Sequence, residues 1–389
     1  MFVADKPYIS DFFKETLEKN QYPVADTAVA RELLNSSEIN FIGTEEIQKH
    51  FSENENALLY TNSENAIDWI EKTLAFSDFP RKIQLFKDKA GLRDKLKPMF
   101  PNYFYKRVRA EDLDSLSVEN LKFPFIIKPV VGFFSLGVRK VETPDEYLQS
   151  IKEIKEDMLV AKKLYPEKVI AGAEFVIEEM IEGDEFAIDF YYDKKGKPVI
   201  LNITKHLFAS GKDMSDRAYI TSKEIMEEQL EDFENFLTKM GELTGVKNFV
   251  AHAEVRKTAN GEVIPIEINP SRFGGLCTTA DLAHYSLGIN LYEYFYEQKV
   301  PDWDKILTGK AGKIYSLIIL DNSTGKMAEE IKAFDYEKLL AHFEKPLELR
   351  KINYREFPLF GFVFAETKTE NFREIEYILK SRLNEFIKS

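Results

Sequence analysis

FVAHAEVRKTANGEVIPIEINPSRFGG, residues 249–275, reads as a β-hairpin. Val, Ile and Phe dominate both arms, and Asn260-Gly261 between them favours a two-residue turn with positive φ. Counting outward from that turn sets Glu254 opposite Glu267 and His252 opposite Asn269. Side chains alternate between faces, so His252, Glu254 and Arg256 share one face with Pro265, Glu267 and Asn269. Ala251, Ala253, Val255, Ile266 and Ile268 make the opposite, core face. Facing carboxylates repel by roughly 0.2–1 kcal/mol or more. A divalent cation between them removes that cost, and two glutamates with one asparagine amide form the all-oxygen set that a hard ion such as magnesium takes. The same residues also fit the solvated polar face of an ordinary hairpin, and the rest of the chain has to decide between the two.

The 389 residues exceed one compact core, so two or three lobes are expected. A hydrophobic content of 44% with 31% charged residues is that of a globular chain rather than a disordered one. The net charge of −13 argues against general nucleic-acid binding, which needs a basic face, but leaves room for an anionic ligand in a locally basic cleft. No apolar run approaches the roughly 18 residues of a membrane helix, and MFVADKPYISDFFKE has no signal-peptide layout. A single cysteine, Cys277, rules out an internal disulfide and a cysteine-based metal cluster. A soluble, cytoplasmic protein without membrane partners is the expectation.

The fold class reads as α/β. Residues 1–85 alternate short apolar runs (Phe2–Ala4, Tyr22–Val24, Ile39–Ile42, Ala57–Tyr60) with helical patterns, the first capped by Ser10 or Asp11. This is an open, Rossmann-like domain by pattern, without the G-x-G-x-x-G that a dinucleotide needs, and no Walker-type P-loop occurs anywhere. A central domain spans 86–300, with a lid subdomain at about 103–180. It opens on a basic helix from Phe86 to about Lys97, stopped by Pro98 and Pro101. Phe125–Lys128 is a strand running into a loop with Gly132, Phe133, Phe134, Ser135 and Gly137, which is either a phosphate grip or a plain hairpin with a surface lysine. Strands follow at Glu174–Met180, Glu185–Tyr192 and Pro198–Lys205, then a polar loop His206–Ile220 and a helix Ser222–Leu243. Residues 301–389 make a small C-terminal α/β lobe, with strands at Lys313–Leu320 and Phe360–Phe364 and a helix Phe372–Ile387.

Taken in order, Asp88-Lys89, FIIKP (125–129), the serine/glycine loop, VIEEMIEGDEF (176–186), the hairpin and INPSRFGG (268–275) resemble the ATP-grasp superfamily over residues 86–297. The resemblance implies a two-lobed α+β grasp that holds ATP with magnesium, manganese being the alternative ion. By position, Lys89 and Lys128 match phosphate-contacting lysines, and Ser135 and Gly137 lie in the phosphate loop. Glu178, Glu179 and Ile181 match the hinge along the adenine, and Glu185 the ribose carboxylate. Glu254, Glu267 and Asn269 match the metal ligands, and Arg272 matches an arginine that steadies the reacting phosphate or carboxylate, with His252 beside it. Each has a plain alternative. Glu178 or Glu179 can be surface charge, Lys89 a helix lysine, Arg272 a pin for the Gly274-Gly275 turn, and His252 structural. Cys277 reads as a packing residue. Phe133 and Phe134 depart from the small residues expected of the phosphate loop.

The branch resembled is that of carboxylate–amine ligases acting on amino-acid-like substrates through an acyl phosphate, with release of ADP and phosphate. Small carboxylate and amine substrates are then the partners, and a homodimer is compatible with the class. An ATP-grasp kinase, a carboxylase-type subunit and a catalytically silent nucleotide-binding regulator are the alternatives. The chain offers no biotin-attachment segment for a self-contained carboxylase.

Overall fold

The computed structural model describes residues 1–118, 121–131, 137–164, 174–210 and 215–388. Gly132, Phe133, Phe134 and Ser135 of the expected phosphate loop lie outside these residues. Among the described residues, no helix is long and apolar enough to cross a membrane.

The N-terminal region is an open α/β layer. Four short strands, β1 (Phe2–Val3), β2 (Val24–Ala25), β3 (Phe41–Ile42) and β4 (Tyr60–Thr61), pair in parallel in the order β3-β2-β1-β4. Ser10 caps the first helix, its hydroxyl accepting from the Phe13 amide at 3.1 Å. Fully buried Phe2 packs its ring against Tyr22, Phe13 and Tyr60.

A second unit follows from β5 (Tyr105–Arg109), β6 (Phe125–Pro129), β7 (Arg139–Val141) and β8 (Glu174–Glu179). These form an antiparallel sheet in the order β5-β8-β6-β7, over a core of Val108, Phe125, Ile127, Tyr147, Ile151 and Phe175. The helix that leads into it breaks at Asp88, where the sequence reads straight through. One helix ends at Lys87, and Asp88 takes an extended backbone and caps the next, Lys89–Leu96, accepting from the Gly91 amide at 2.8 Å. No glycine or proline marks this break, only a capping-type residue.

The third unit is an antiparallel sheet built from β9 (Asp184–Tyr192), β10 (Pro198–Leu207), β11 (Ala218–Ser222), β12 (Phe249–Lys257), β13 (Val263–Pro270) and β14 (Lys313–Asp321). Beyond a two-stranded pairing of β15 (Ala333–Phe334) with β18 (Ile387–Lys388), β16 (Lys345–Lys351) and β17 (Leu359–Lys368) join it. The order is β13-β12-β9-β10-β11-β14-β17-β16. Of the C-terminal strands, β14, β16 and β17 thus extend the central sheet while β15 and β18 pair apart from it, and a separate core (Ile318, Leu320, Phe360, Ile375, Ile378) forms here. The expected loop 206–220 is shorter at both ends, since β10 runs through Leu207 and β11 starts at Ala218, and residues 211–214 of it lie outside the described residues. The C-terminal helix ends at Lys380 instead of continuing to Ile387, because Leu383 and Phe386 turn into the core and Ile387 pairs with Phe334.

The hairpin keeps its outer register by two departures that cancel. Its turn contains Ala259, Asn260 and Gly261, closed by Thr258 N–H to the Glu262 carbonyl at 2.9 Å, with Gly261 left-handed at φ 81°. That shifts the ladder by one, and a bulge at Ile266 shifts it back: Val255 faces Pro265, while Glu254 faces Glu267 and His252 faces Asn269. Pro265 consequently lies on the face of Val255, opposite to the one simple alternation assigns it. Proline has no amide to donate to the ladder, which makes this edge strand bulge where it does.

Gly183 joins the second unit to the third with φ 117°, and a Cβ there would overlap the Lys257 carbonyl. Gly245, at φ 69°, caps a helix in open space. Gly183→Ala should cost about 3 kcal/mol or more and Gly245→Ala about 1 kcal/mol. Equal losses in denaturant unfolding would contradict the close approach at 183.

Candidate active site

The acidic face of the hairpin points into the cleft. Glu254 and Glu267 face each other across the ladder and keep 35% and 26% of their side-chain surface exposed. Burial raises the Glu254 carboxyl, and the Glu267 charge opposite raises it further. Burial also works to raise Glu267, but Lys89, Lys128 and Lys87 override it and leave that carboxyl lowered. Lys89 donates to Glu267 Oε1 at 2.9 Å, and Asn269 donates its amide to Glu254 Oε1 at 3.1 Å. Two carboxylates and an amide oxygen are a hard, all-oxygen donor set. The residues therefore fit a magnesium ion. No group of three or more His, Cys, Asp and Glu arranged for a metal occurs among the described residues, so any ion here depends on the amide as well.

Behind this face lies a buried charge cluster. Lys128, at the end of β6, contacts Glu178 Oε1 and donates to the Ile266 carbonyl at 3.1 Å. Arg93 reaches Glu178 Oε2 through Nε at 2.9 Å. Burial alone would raise Glu178, yet the Lys128 and Arg93 charges hold its carboxyl down at about 2. Lys128 is lowered, first by burial and then by Arg93 and Lys89, against the pull of Glu178.

The hinge residues are strongly tethered. The Glu179 amide donates to the Phe104 carbonyl at 3.0 Å, its carbonyl accepts from the Tyr103 hydroxyl at 3.0 Å, and its carboxylate accepts from the Phe104 amide and Lys122. The Ile181 carbonyl accepts from Arg256 at 2.7 Å, while its amide has no partner among the described residues. Glu185 is bound twice by Arg256 at 3.0 Å and once by His206 Nδ1 at 2.9 Å. Burial lowers His206, but the Glu185 contact outweighs it and raises this imidazole, which stacks on Tyr219. Gly137 is left-handed at φ 74°, and its amide donates to Asp157 at 3.2 Å.

His252 lies beside the acidic pair. Its Nδ1 is 2.7 Å from Oδ1 of fully buried Asp189, which also accepts from the Gly274 amide at 3.0 Å. Its Nε2 lies 4.0 Å from Glu254. Arg272 is engaged by Glu64 of the N-terminal domain at 3.1 Å and by the Phe273 carbonyl at 2.8 Å, and Lys87 contacts the other oxygen of Glu64. Arg93, Asp189 and Glu64 are thus residues around the site that the sequence reading passes over, while Arg256 is placed on the acidic face there without a role. Two of them had a signal: Arg93 stands four residues after Lys89 on one helical face, and Asp189 lies two alternations from Glu185. Glu64 had none, since only tertiary packing brings it here.

The facing carboxylates and the lysines at Glu267 thus lie where the hairpin meets the small sheet. Residues 121–280 match the ATP-grasp domain family. Those residues make up less than half of the chain, and the match is to that domain alone. Its fold is similar to L-amino acid ligase from Bacillus licheniformis, with a TM-score of 0.71 at 16% identity over 100% of this chain and 97% of that one. It is also similar to N5-carboxyaminoimidazole ribonucleotide synthetase from Thermotoga maritima (TM-score 0.62, 18% identity, 100% and 98%). Biotin carboxylase from Campylobacter jejuni matches with a TM-score of 0.62 at 11% identity, over 94% and 87%. At these identities the likeness concerns the fold. Among curated proteins the sequence finds no match.

A carboxyl lowered from 4.5 to about 2 contributes roughly 3 kcal/mol, present above pH 4.5 and lost as pH falls towards 2. Glu178→Gln imitates the protonated form. The stability gap between wild type and Glu178→Gln in urea should therefore narrow between pH 5 and pH 3, and a constant or widening gap would contradict the assignment.

Proposed function

We propose that this protein is an ATP-dependent carboxylate–amine ligase acting on amino-acid-like substrates. The observation that carries the reading is the facing pair Glu254 and Glu267, with Lys89 and Lys128 converging on the same edge of the hairpin. Magnesium held by Glu254, Glu267 and Asn269 would supply charge neutralisation to the triphosphate. Lys89 and Lys128 would hold phosphate oxygens, with Gly137 at the end of the covering loop. The hinge from Glu178 to Ile181 would line the adenine, where the unpartnered Ile181 amide can donate to the base. Glu185 would take the ribose hydroxyls once Arg256 and His206 share it.

In the chemical step, a substrate carboxylate oxygen bonds to the γ-phosphorus as the bond to the ADP oxygen breaks, giving an acyl phosphate. The amine nitrogen then bonds to the acyl carbon, phosphate leaves, and the ammonium loses a proton. Arg272 is placed to steady the carboxylate or the oxyanion that follows, provided Glu64 yields part of its hold. His252 is oriented for a supporting part, because Asp189 fixes Nδ1 and turns Nε2 towards the acidic pair. The whole-length likeness to L-amino acid ligase supports the amino-acid branch.

The test is phosphate release from ATP with magnesium and pooled amino acids. Amino-acid-dependent release of ADP and phosphate with a new amide in the product is expected. A stable phosphorylated product, or ATP binding without release under every pool, would overturn the ligase reading. Glu267→Gln should abolish that turnover while circular dichroism and the cooperative melt persist. Turnover surviving the change would contradict the metal assignment.

A further inference from the structure

The nucleotide site proposed above contains one charge that its ligand-facing residues do not explain. Arg93, on the helix Lys89–Leu96, is 5% exposed and its guanidinium lies 4.6 Å from the centre of the Tyr103 ring. It takes Glu178 Oε2, while Lys128 takes Oε1. All three side chains are at least nine-tenths buried. Lys89 and Glu267 form their own pair alongside. Counting formal charges, Lys128 and Arg93 against Glu178 leave the trio at +1 inside a region where uncompensated charge is costly. Were Arg93 absent, Lys128 and Glu178 would neutralise each other, and the lysine at the end of β6 would offer a phosphate little net attraction.

We propose that Arg93 is a positioning residue that sets the charge Lys128 presents: by sharing Glu178, it keeps the trio one positive charge in excess, and an anionic polyphosphate is the ligand that completes it. This rests on the nucleotide reading, and its own content is the dependence of affinity on the trio's net charge. Arg93→Met and Arg93→Gln bring the trio to zero, and Arg93→Lys keeps it at +1.

The experiment is calorimetric titration of ADP with magnesium into each protein at low salt. Arg93→Met should bind about tenfold to a hundredfold more weakly than wild type, because a charge-assisted contact is lost. Arg93→Gln, which keeps a donor for Glu178 without the charge, should lose about as much as Arg93→Met. Arg93→Lys should stay close to wild type. If Arg93 serves only as scaffold, Arg93→Gln binds like wild type or Arg93→Lys loses as much as Arg93→Met, and the proposal is overturned. Should Arg93→Met not fold, the comparison of wild type, Arg93→Gln and Arg93→Lys decides by the same criterion. Failure of wild-type protein to bind ADP would instead overturn the nucleotide reading itself.

Discussion

Two carboxylates set opposite each other on a β-ladder are the constraint on which the rest of the cleft depends. Glu254 and Glu267 cannot both ionise there without a nearby cation, and the chain supplies cations from every side. Lys89 comes from the helix before the small sheet, Lys128 from the end of β6, and Lys87 with Arg272 stands behind them on Glu64. The balance is uneven. The cations gather at Glu267 and lower it, whereas among the described residues Glu254 meets an asparagine amide and a histidine at 4.0 Å, and it is raised.

The bulge at Ile266 connects that pair to the small sheet. The same irregularity restores the Glu254–Glu267 register, and the carbonyl of its extra residue accepts from Lys128. Lys128 then joins Glu178 and Arg93 in one buried cluster, which ties β6, β8, the helix beginning at Lys89 and the hairpin together. Positioning of charge and packing of domains are here a single arrangement.

Much of this was legible in the sequence because it rests on local rules. The open α/β start, the Ser10 cap, the small sheet around Phe125–Lys128 and the pairing of Glu254 with Glu267 follow from alternation, capping and turn chemistry. The face-to-face register came out right for a reason the sequence does not state, since the longer turn and the bulge offset each other. What was not legible is non-local. That β14, β17 and β16 would continue the central sheet depends on which edge is free after folding, and periodicity carries no such information. The tether of Arg272 by Glu64 and of Glu185 by Arg256 and His206 likewise joins residues whose patterns are independent of one another.

The account's central claim is that Glu254 and Glu267 form a divalent-cation platform rather than a solvated polar face. Equilibrium binding of Mn2+ in the presence of ADP, followed by the loss of the free-ion signal in electron paramagnetic resonance, tests it most directly. Saturable binding by the wild-type protein, lost in Glu254→Gln while ADP alone still binds, is the predicted result. Mn2+ binding that is equal in the two proteins would contradict it.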